Sequence, residues 1–302
     1  MINVTLKQLR YFDALARFGH FGRAAETCAI SQPALSMQIK DLEETLGAQL
    51  VERSARQVRL TPLGEDLAAR AREILRAVDE IGDLARASAD RLVGRLRLGV
   101  IPTIAPYLLP RVMQRLARQH RELDLYIRET VTPKLIAELH EGRLDAAIVA
   151  LPVSEPALEE TALFNEDFVL IRPASDAKAP VPSKEGLRAM RLLLLEEGHC
   201  FRDQALSFCD MQSSAPREML DGSSLSTLVQ MVGAGIGVTL LPEMALRVET
   251  RSADVTVQQF PTPQPSRSVG MVWRKSTPLA AQLTQLSTIV RQAGAFSETE
   301  IA

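Results

Sequence analysis

The chain has 302 residues, enough for about two domains, and its 46% hydrophobic and 24% charged residues fit a globular protein with a sizeable core. A formal net charge of −2 excludes a global field that would draw the whole molecule onto nucleic acid or an anionic membrane, so any polyanion contact must rest on a local patch. No apolar run approaches the roughly 20 residues of a membrane helix, the first residues lack an apolar signal region, and three cysteines are too few for a disulfide-stapled secreted scaffold. The expectation is a reducing cytoplasm, free thiols and no membrane partner.

Residues 1–60 are predicted to fold as short helices followed by a two-stranded wing. Leu6, Leu9, Phe12 and Leu15 recur at spacing three and make one apolar helical stripe, which Gly19-His20-Phe21-Gly22 interrupts. Arg23–Cys28 forms a second helix of small residues. Ser31 is placed to cap a third, with Pro33 in its first turn and Gly47 in the left-handed position after Leu46. Leu35, Ile39, Leu42 and Leu46 share its inward face. The other face carries Gln32, Pro33, Ser36, Met37 and Lys40, with no carboxylate from Ser31 to Lys40, whereas Asp41, Glu43 and Glu44 follow. That asymmetry suits a helix entering the major groove of double-stranded DNA by its N-terminal end, among phosphates. Between Gln49 and Leu60, Arg53, Arg56 and Arg59 recur at spacing three, placed for phosphate or minor-groove contact. Residues 1–60 hold eight Lys/Arg against six Asp/Glu, so the basic excess is local, as the overall charge requires.

Thr61 as cap and Pro62 in the first turn start a long helix that is predicted to run to about Arg91. Leu67, Ala71, Ile74, Val78, Ile81 and Ala85 alternate at spacings of four and three, a coiled-coil seam that implies a homodimer. Residues 61–93 are therefore expected to be a linker and dimerisation helix, with a hinge at Gly94. From Arg95 the pattern changes to α/β. Strands are predicted at 96–100, 123–127, 146–150, 168–171, 192–195, 238–241, 255–260 and 269–273, and helices at 105–119, 133–141, 224–232 and 278–291. Residues 94–302 are expected to form two subdomains facing a cleft, the first about 95–166 and 269–302, the second about 167–268. Helix N-termini near Thr103, Thr132 and Ser223-Ser224 would aim backbone N–H groups at a small or anionic species in that cleft.

One constellation points to sulfur chemistry. Thiols oxidise as thiolates, which cations and hydrogen-bond donors favour. His199 and Arg202 flank Cys200, whereas Cys209 has Phe208, Asp210 and Met211 for neighbours and no cation. Cys200 thus reads as the reactive thiol and Cys209 as its resolving partner; two unrelated buried cysteines are the plainer alternative. If residues 200–209 are helical, nine steps of about 1.5 Å part the Cα atoms by roughly 13 Å, whereas a disulfide needs about 7 Å or less. Bridging them would force the segment to refold, a switch with two states. Cys28, among alanines, reads as a core filler. His20, His120, His140 and His199 lack metal-ligand spacing, and Gly233–Gly237 follows a helix and precedes a strand, the reverse of a dinucleotide loop, so neither a metal nor a cofactor is expected.

Arg23-Ala24-Ala25-Glu26, Ser31-Gln32-Pro33-Ala34-Leu35-Ser36, Leu42-Glu43, Leu46-Gly47, Leu50, Arg53 and Leu60-Thr61-Pro62-Leu63-Gly64 together resemble the N-terminal domain of LysR-type transcriptional regulators. The resemblance implies an all-α winged helix-turn-helix and linker helix, followed by an α/β regulatory domain of two subdomains like a periplasmic binding protein. It implies Ser31, Gln32, Pro33, Ser36 and Arg53 as DNA contacts, to which placement adds Lys40 and Arg56. The run from Gly198 to Cys209, with Ile101–Pro110, resembles the hydrogen-peroxide sensors of that family, over essentially the whole chain. For these, Cys200 is the peroxide-reactive cysteine and Cys209 the resolving one. Thr103, Thr132, His199, Arg202, Asp203 and Arg267 match positions that hold peroxide or support the thiolate and the switch; Pro133 and Lys134 depart from the pattern at the pocket rim. The implied protein is a homodimer paired into a homotetramer, which acts with RNA polymerase on antioxidant genes and is restored by glutaredoxin or thioredoxin. Two rivals are a regulator that answers a small-molecule effector in the cleft, its cysteines incidental, and a thiol peroxidase, which would leave residues 1–60 without a purpose.

Overall fold

The computed structural model describes residues 3–53, 58–87, 91–209 and 221–295. They fall into two compact units, Met1–Ala85 and Arg86–Ala302. In the first, α1 (Leu6–Phe18) starts in a capping box between Thr5 and Gln8 and stops at Gly19 in the left-handed conformation. The imidazole of His20 caps α2 (Phe21–Thr27), its Nδ1 accepting from the N–H groups of Gly22 and Arg23 at 3.1 and 3.4 Å. Ser31 caps α3 (Gln32–Leu46), and Gly47 ends it left-handed. Leu35, Ile39 and Leu42 of α3 are sealed against Phe12 and Leu15 of α1. At about 1.5–3 kcal/mol for each such side chain, this contact locks α1 against α3, and Ala24 and Ala25 of α2 are buried in the same core.

Strands β1 (Val51–Arg53) and β2 (Val58–Leu60) pair antiparallel as the wing. Glu43 Oε1 accepts the N–H groups of Leu50 and Val51 at 2.8 and 3.2 Å, fixing the wing to the end of α3. Helix α4 (Pro62–Ala87) follows, its first turn capped by Thr61 Oγ1, which accepts from Gly64 N–H at 3.0 Å. It ends at Ala87 within the described residues, and Arg91 is already a bend. The seam read from the sequence needs a correction at its start. Ala68 and Ala71 are buried, and Leu67 packs on the helix-turn-helix core. The stripe left open to solvent is Ile74, Ile81 and Leu84.

The second unit comprises β3 (Gly94–Val100), α5 (Ala105–Gln119), β4 (Leu123–Glu129), α6 (Thr132–His140), β5 (Ala146–Leu151), β6 (Leu158–Pro173), α7 (Lys184–Ala189), β7 (Leu194–Leu195), α8 (Cys200–Phe208), β8 (Asp221–Gly222), α9 (Leu225–Gly233), β9 (Thr239–Pro242), α10 (Leu246–Glu249), β10 (Val255–Gln258), β11 (Ser266–Arg274) and α11 (Ala280–Gly294). The main sheet runs β10-β6-β11-β5-β3-β4, with β9 also on β6. β3 pairs parallel with β4 and β5, and β11 pairs antiparallel with β5 and β6. The 16-residue β6 changes partners along its length: Leu158–Asp167 lies on β11, Phe168–Ile171 on β9 and Leu170–Pro173 on β10. Only its apolar 168–171 stretch is legible as a strand in sequence, because Glu159, Glu160, Asn165, Glu166 and Asp167 break up the rest. Gly94, expected as a hinge, is paired with Leu123 as the first residue of β3. The side-chain amide of Gln282 on α11 donates to the carbonyls of Arg86 and Arg91 at 2.9 and 3.2 Å, tying the chain leading into β3.

Gly64 is the tightest point of the first unit, since a Cβ there would sit 2.1 Å from the Leu50 carbonyl oxygen, which is rigid backbone. Gly64→Ala is expected to lower the stability of the helix-turn-helix by about 2–3 kcal/mol in urea unfolding; an unchanged midpoint would contradict the close packing of α4 on the wing.

Candidate functional site

Both regulatory-unit thiols are free, and they occupy opposite ends of one helix. Cys200 is the first residue of α8 and half-buried; Cys209 is its C-cap and fully buried. The nine intervening steps therefore hold the two Cα atoms about 13 Å apart, twice the reach of a disulfide. Gly198, at φ +93°, turns the chain into this helix, and His199 is the N-cap. The first turn is anchored from beneath: Phe201 packs edge-on against Phe168 with ring centroids 5.0 Å apart, and the buried Arg202 donates from Nη1 to the Leu195 carbonyl at 2.8 Å. Burial holds the His199 imidazole below its usual range, opposed more weakly by Glu196. It is a neutral ring at neutral pH, which leaves Arg202, two residues after Cys200, as the cation of this turn.

The N-terminus of α8 faces a cleft of about 310 Å³, lined by Thr103, Tyr107, Glu129, Val131, His199 and Ser224 among others. Arg267 of β11 runs behind it, almost completely buried. Its Nε donates to Glu166 Oε2 at 2.7 Å, its Nη1 to Thr103 Oγ1 at 2.8 Å and its Nη2 to the Thr103 carbonyl at 3.0 Å, while its guanidinium lies 5.8 Å from the Phe201 ring centroid. Glu166 Oε1 in turn accepts from Met244 N–H at 3.0 Å. A buried charge paired and hydrogen-bonded at every side is costly to break, by about 3–5 kcal/mol, which makes this cluster a rigid floor. Across the cleft, the Tyr107 hydroxyl of α5 donates to Glu249 Oε1 of α10 at 2.6 Å; burial and that bond hold the phenol above its usual range, so it stays a donor.

The structure thus brings Thr103, His199, Arg202 and Arg267 around the Cys200 end of α8. Thr132 opens α6, next to the cleft-lining Thr130 and Val131, and its Oγ1 is buried with no hydrogen-bond partner among the described residues. Asp203 points elsewhere: it is exposed in the first turn of α8. Glu166, Tyr107 and Glu249 were not singled out from the sequence, since their partners lie far along the chain and no local pattern marks them. Among the described residues no group of three His, Cys, Asp or Glu side chains could hold a metal ion. Cys28, the C-cap of α2, packs on the helix-turn-helix core, and burial followed by Asp13 raises its pKa.

In the first unit, Gln32, Pro33 and Lys40 are exposed on α3, Ser36 is half-buried, and Met37 is among the most exposed apolar residues. The Ser31 hydroxyl accepts from Ala34 N–H at 3.4 Å, so it caps the helix, and the residue is exposed. Lys40 pairs with Glu44 at 3.3 Å, a contact worth little at this exposure. Arg56 and the side chain of Arg53 lie outside the described residues.

His199 generates a pH dependence of known sign. Its folded pKa lies below the unfolded value of about 6.5. The unfolded chain then binds more protons, and stability falls as pH drops below about 6.5. Thermal unfolding between pH 7.5 and 5 should show that loss, and His199→Asn should flatten it; an identical slope in the variant would contradict the burial of the ring.

Comparison with known proteins places both units in one family. Residues 6–65 match the bacterial regulatory helix-turn-helix proteins of the lysR family, and residues 89–295 match the LysR substrate binding domain. A probable hydrogen peroxide-inducible genes activator from Streptomyces viridosporus is 43% identical over 294 residues, covering 96% of this chain and 94% of the relative. The DNA-binding transcriptional dual regulator OxyR of Escherichia coli is 38% identical, covering 95% of each. Among solved structures, a full-length OxyR variant from Pseudomonas aeruginosa superposes with a TM-score of 0.74 at 39% identity, covering 96% of this chain and 95% of that one. A hydrogen-peroxide-bound OxyR variant from Corynebacterium glutamicum gives 0.66 at 36% identity, covering 96% and 92%. A winged helix-turn-helix joined by a long helix to an α/β unit, with these likenesses running through both, makes the chain a member of the LysR family of bacterial regulators and of its OxyR group.

Proposed function

We propose that the protein is a DNA-binding transcription regulator that senses hydrogen peroxide at Cys200 and passes the signal on through a reversible Cys200–Cys209 disulfide. The observation that carries this reading is the pair of free thiols at the two ends of an intact α8, one half-buried next to the cleft-lining His199 and the other sealed in the core. It is supported by one relative named as a probable activator of hydrogen peroxide-inducible genes and by a similar structure solved with hydrogen peroxide bound. The Cys200 thiol gives up its proton, and the thiolate attacks one peroxide oxygen; the O–O bond breaks, the leaving hydroxide takes up that proton to depart as water, and a sulfenic acid remains. The Cys209 thiol then attacks the Cys200 sulfur, the S–O bond breaks, and a second water departs. Two sulfurs have given two electrons. In this reading Thr103 and Thr132 offer hydroxyls to the incoming peroxide, His199 a neutral ring, and Arg202 a positive charge in the same helical turn as the thiolate. Arg267 positions Thr103, and Asp203 on the outer face of α8 serves the switch.

Because the disulfide cannot form while α8 is helical, oxidation must dismantle it. The regulatory unit then changes shape, and the DNA-binding heads take a new spacing along the operator. The apolar stripe of Ile74, Ile81 and Leu84 on α4 supports a homodimer, which we extend to a homotetramer acting with RNA polymerase on antioxidant genes. Base readout falls to Ser31, Gln32, Pro33 and Ser36, and phosphate contact to Lys40, Arg53 and Arg56. Among the described residues no helix is long and apolar enough to cross a membrane, which fits the cytoplasmic location we assign. The cleft supports a second reading, a regulator that answers a small-molecule effector.

Counting free thiols separates the two. One equivalent of peroxide should remove two thiols per chain, Cys200→Ser should abolish the loss, and Cys209→Ser should leave a sulfenic acid that trapping reagents capture. Unchanged thiols in the wild type would leave the effector reading. For DNA, Arg53→Ala should weaken binding to all sequences and flatten the salt dependence by about one unit of slope; an unchanged slope would remove the wing from the phosphate contacts.

A further inference from the structure

We propose that α7 is a clamp on the C-terminal end of α8, and that Arg188, assisted by Lys184, is a positioning residue that sets how readily the chain passes from dithiol to disulfide. The proposal rests on the disulfide reading above. Arg188 Nε donates to the Cys209 carbonyl at 2.7 Å. One turn earlier on α7, Lys184 Nζ lies 5.0 Å from the centroid of the Phe208 ring, which also packs on the Phe260 ring at 5.0 Å and 66°. Two cations four residues apart therefore grip the last residue of α8 and its C-cap together. The short α7 is itself held in place: Ser183 caps it, accepting from Gly186 N–H at 3.1 Å, and Leu187 is fully buried in the core.

The end they hold is the one that must move. Cys209 is sealed in the core, its N–H bonded to the Ala205 carbonyl at 3.2 Å, and its sulfur can reach Cys200 only after these contacts break. A guanidinium at a helix C-terminus meets the negative end of the dipole, and a charge-assisted bond to a terminal carbonyl is among the stronger hydrogen bonds. Both act only while α8 is helical, so both favour the dithiol. Neither touches the first step, since Cys200 stands at the opposite end of the helix. Oxidation still takes two electrons from the two sulfurs and gives them to peroxide, with two waters released; return requires a dithiol reductant, which is oxidised in turn. The clamp shifts the balance between these states and the rate at which Cys209 leaves its seat, without changing the chemistry.

The test uses the full-length protein equilibrated in dithiothreitol redox buffers, with a parallel rapid-mixing measurement of sulfenic acid formation and of its condensation. R188Q is expected to move the equilibrium about tenfold toward the disulfide, a reduction potential about 30 mV lower for this two-electron couple. It should also speed condensation while leaving the peroxide step at the wild-type rate. R188K, which keeps the charge but not the planar fork, should restore part of the shift, and K184Q should shift the equilibrium less, in the same direction. R188Q within twofold of wild type in both equilibrium and condensation would overturn the clamp, as would an equal change in the peroxide step, which would mark a general loosening of the fold. If R188Q does not fold, K184Q decides: a shift toward the disulfide supports the clamp, and an unchanged potential overturns it. A wild-type chain that forms no Cys200–Cys209 bond fails at the earlier reading, and its retained thiols distinguish that result.

Discussion

A nine-residue helix is too long for the bond its ends are proposed to make. With Cys200 opening α8 and Cys209 closing it, the rise of the helix separates the two Cα atoms by about twice what a disulfide allows, and no side-chain rotation closes that gap. Backbone must be exchanged for sulfur. The dithiol keeps the hydrogen bonds of α8, the burial of Cys209 and the packing of Phe201 and Phe208; the proposed disulfide would give up part of these for one covalent bond. The two states would exclude each other, and that exclusion is what would make a graded chemical input into a switch.

The surroundings of α8 divide the labour between its ends. At the Cys200 end everything is fixed: Phe201 on Phe168, Arg202 on the Leu195 carbonyl, and beneath them the Arg267–Glu166–Thr103 cluster. Such a floor holds the pocket in one geometry. At the Cys209 end, the short α7 places Arg188 on the Cys209 carbonyl and Lys184 on the Phe208 ring, which also packs on Phe260. β6 carries both anchors of the Cys200 end, since Glu166 and Phe168 lie two residues apart where the strand passes from β11 to β9. Phe201 on Phe168 thus ties the first turn of α8 to the strand that joins the two parts of the sheet.

Legibility in the sequence followed the range of the interactions. The helix-turn-helix is encoded locally, by Thr5 and Ser31 as caps, Gly19 and Gly47 as left-handed stops and a spacing-three or -four apolar stripe, so its elements read well. The seam of α4 was misread at Leu67 and Ala71 because apolar spacing alone does not say whether a stripe packs on its own domain or waits for a partner. Most of β6 was missed because charged residues alternate through it. The site split the same way: Cys200, Cys209, His199 and Arg202 are neighbours in one motif, and Thr103 sits in a segment of recognisable likeness. The bonds that organise them join residues far apart in sequence, 101 positions for Arg267 and Glu166, 142 for Tyr107 and Glu249. No periodicity reports such pairs. Even the 21-residue link from Arg188 to Cys209 depends on how α7 folds back.

The most direct measurement is amide hydrogen exchange over residues 200–209, in reduced protein and after one equivalent of peroxide. The account predicts slow exchange of the α8 amides in the dithiol and a loss of that protection once the disulfide has formed, with the β3, β4 and β5 strands unchanged. Protection that persists through α8 in a chain whose Cys200–Cys209 bond is proven by mass would contradict it, because the two sulfurs would then have met without any change of backbone.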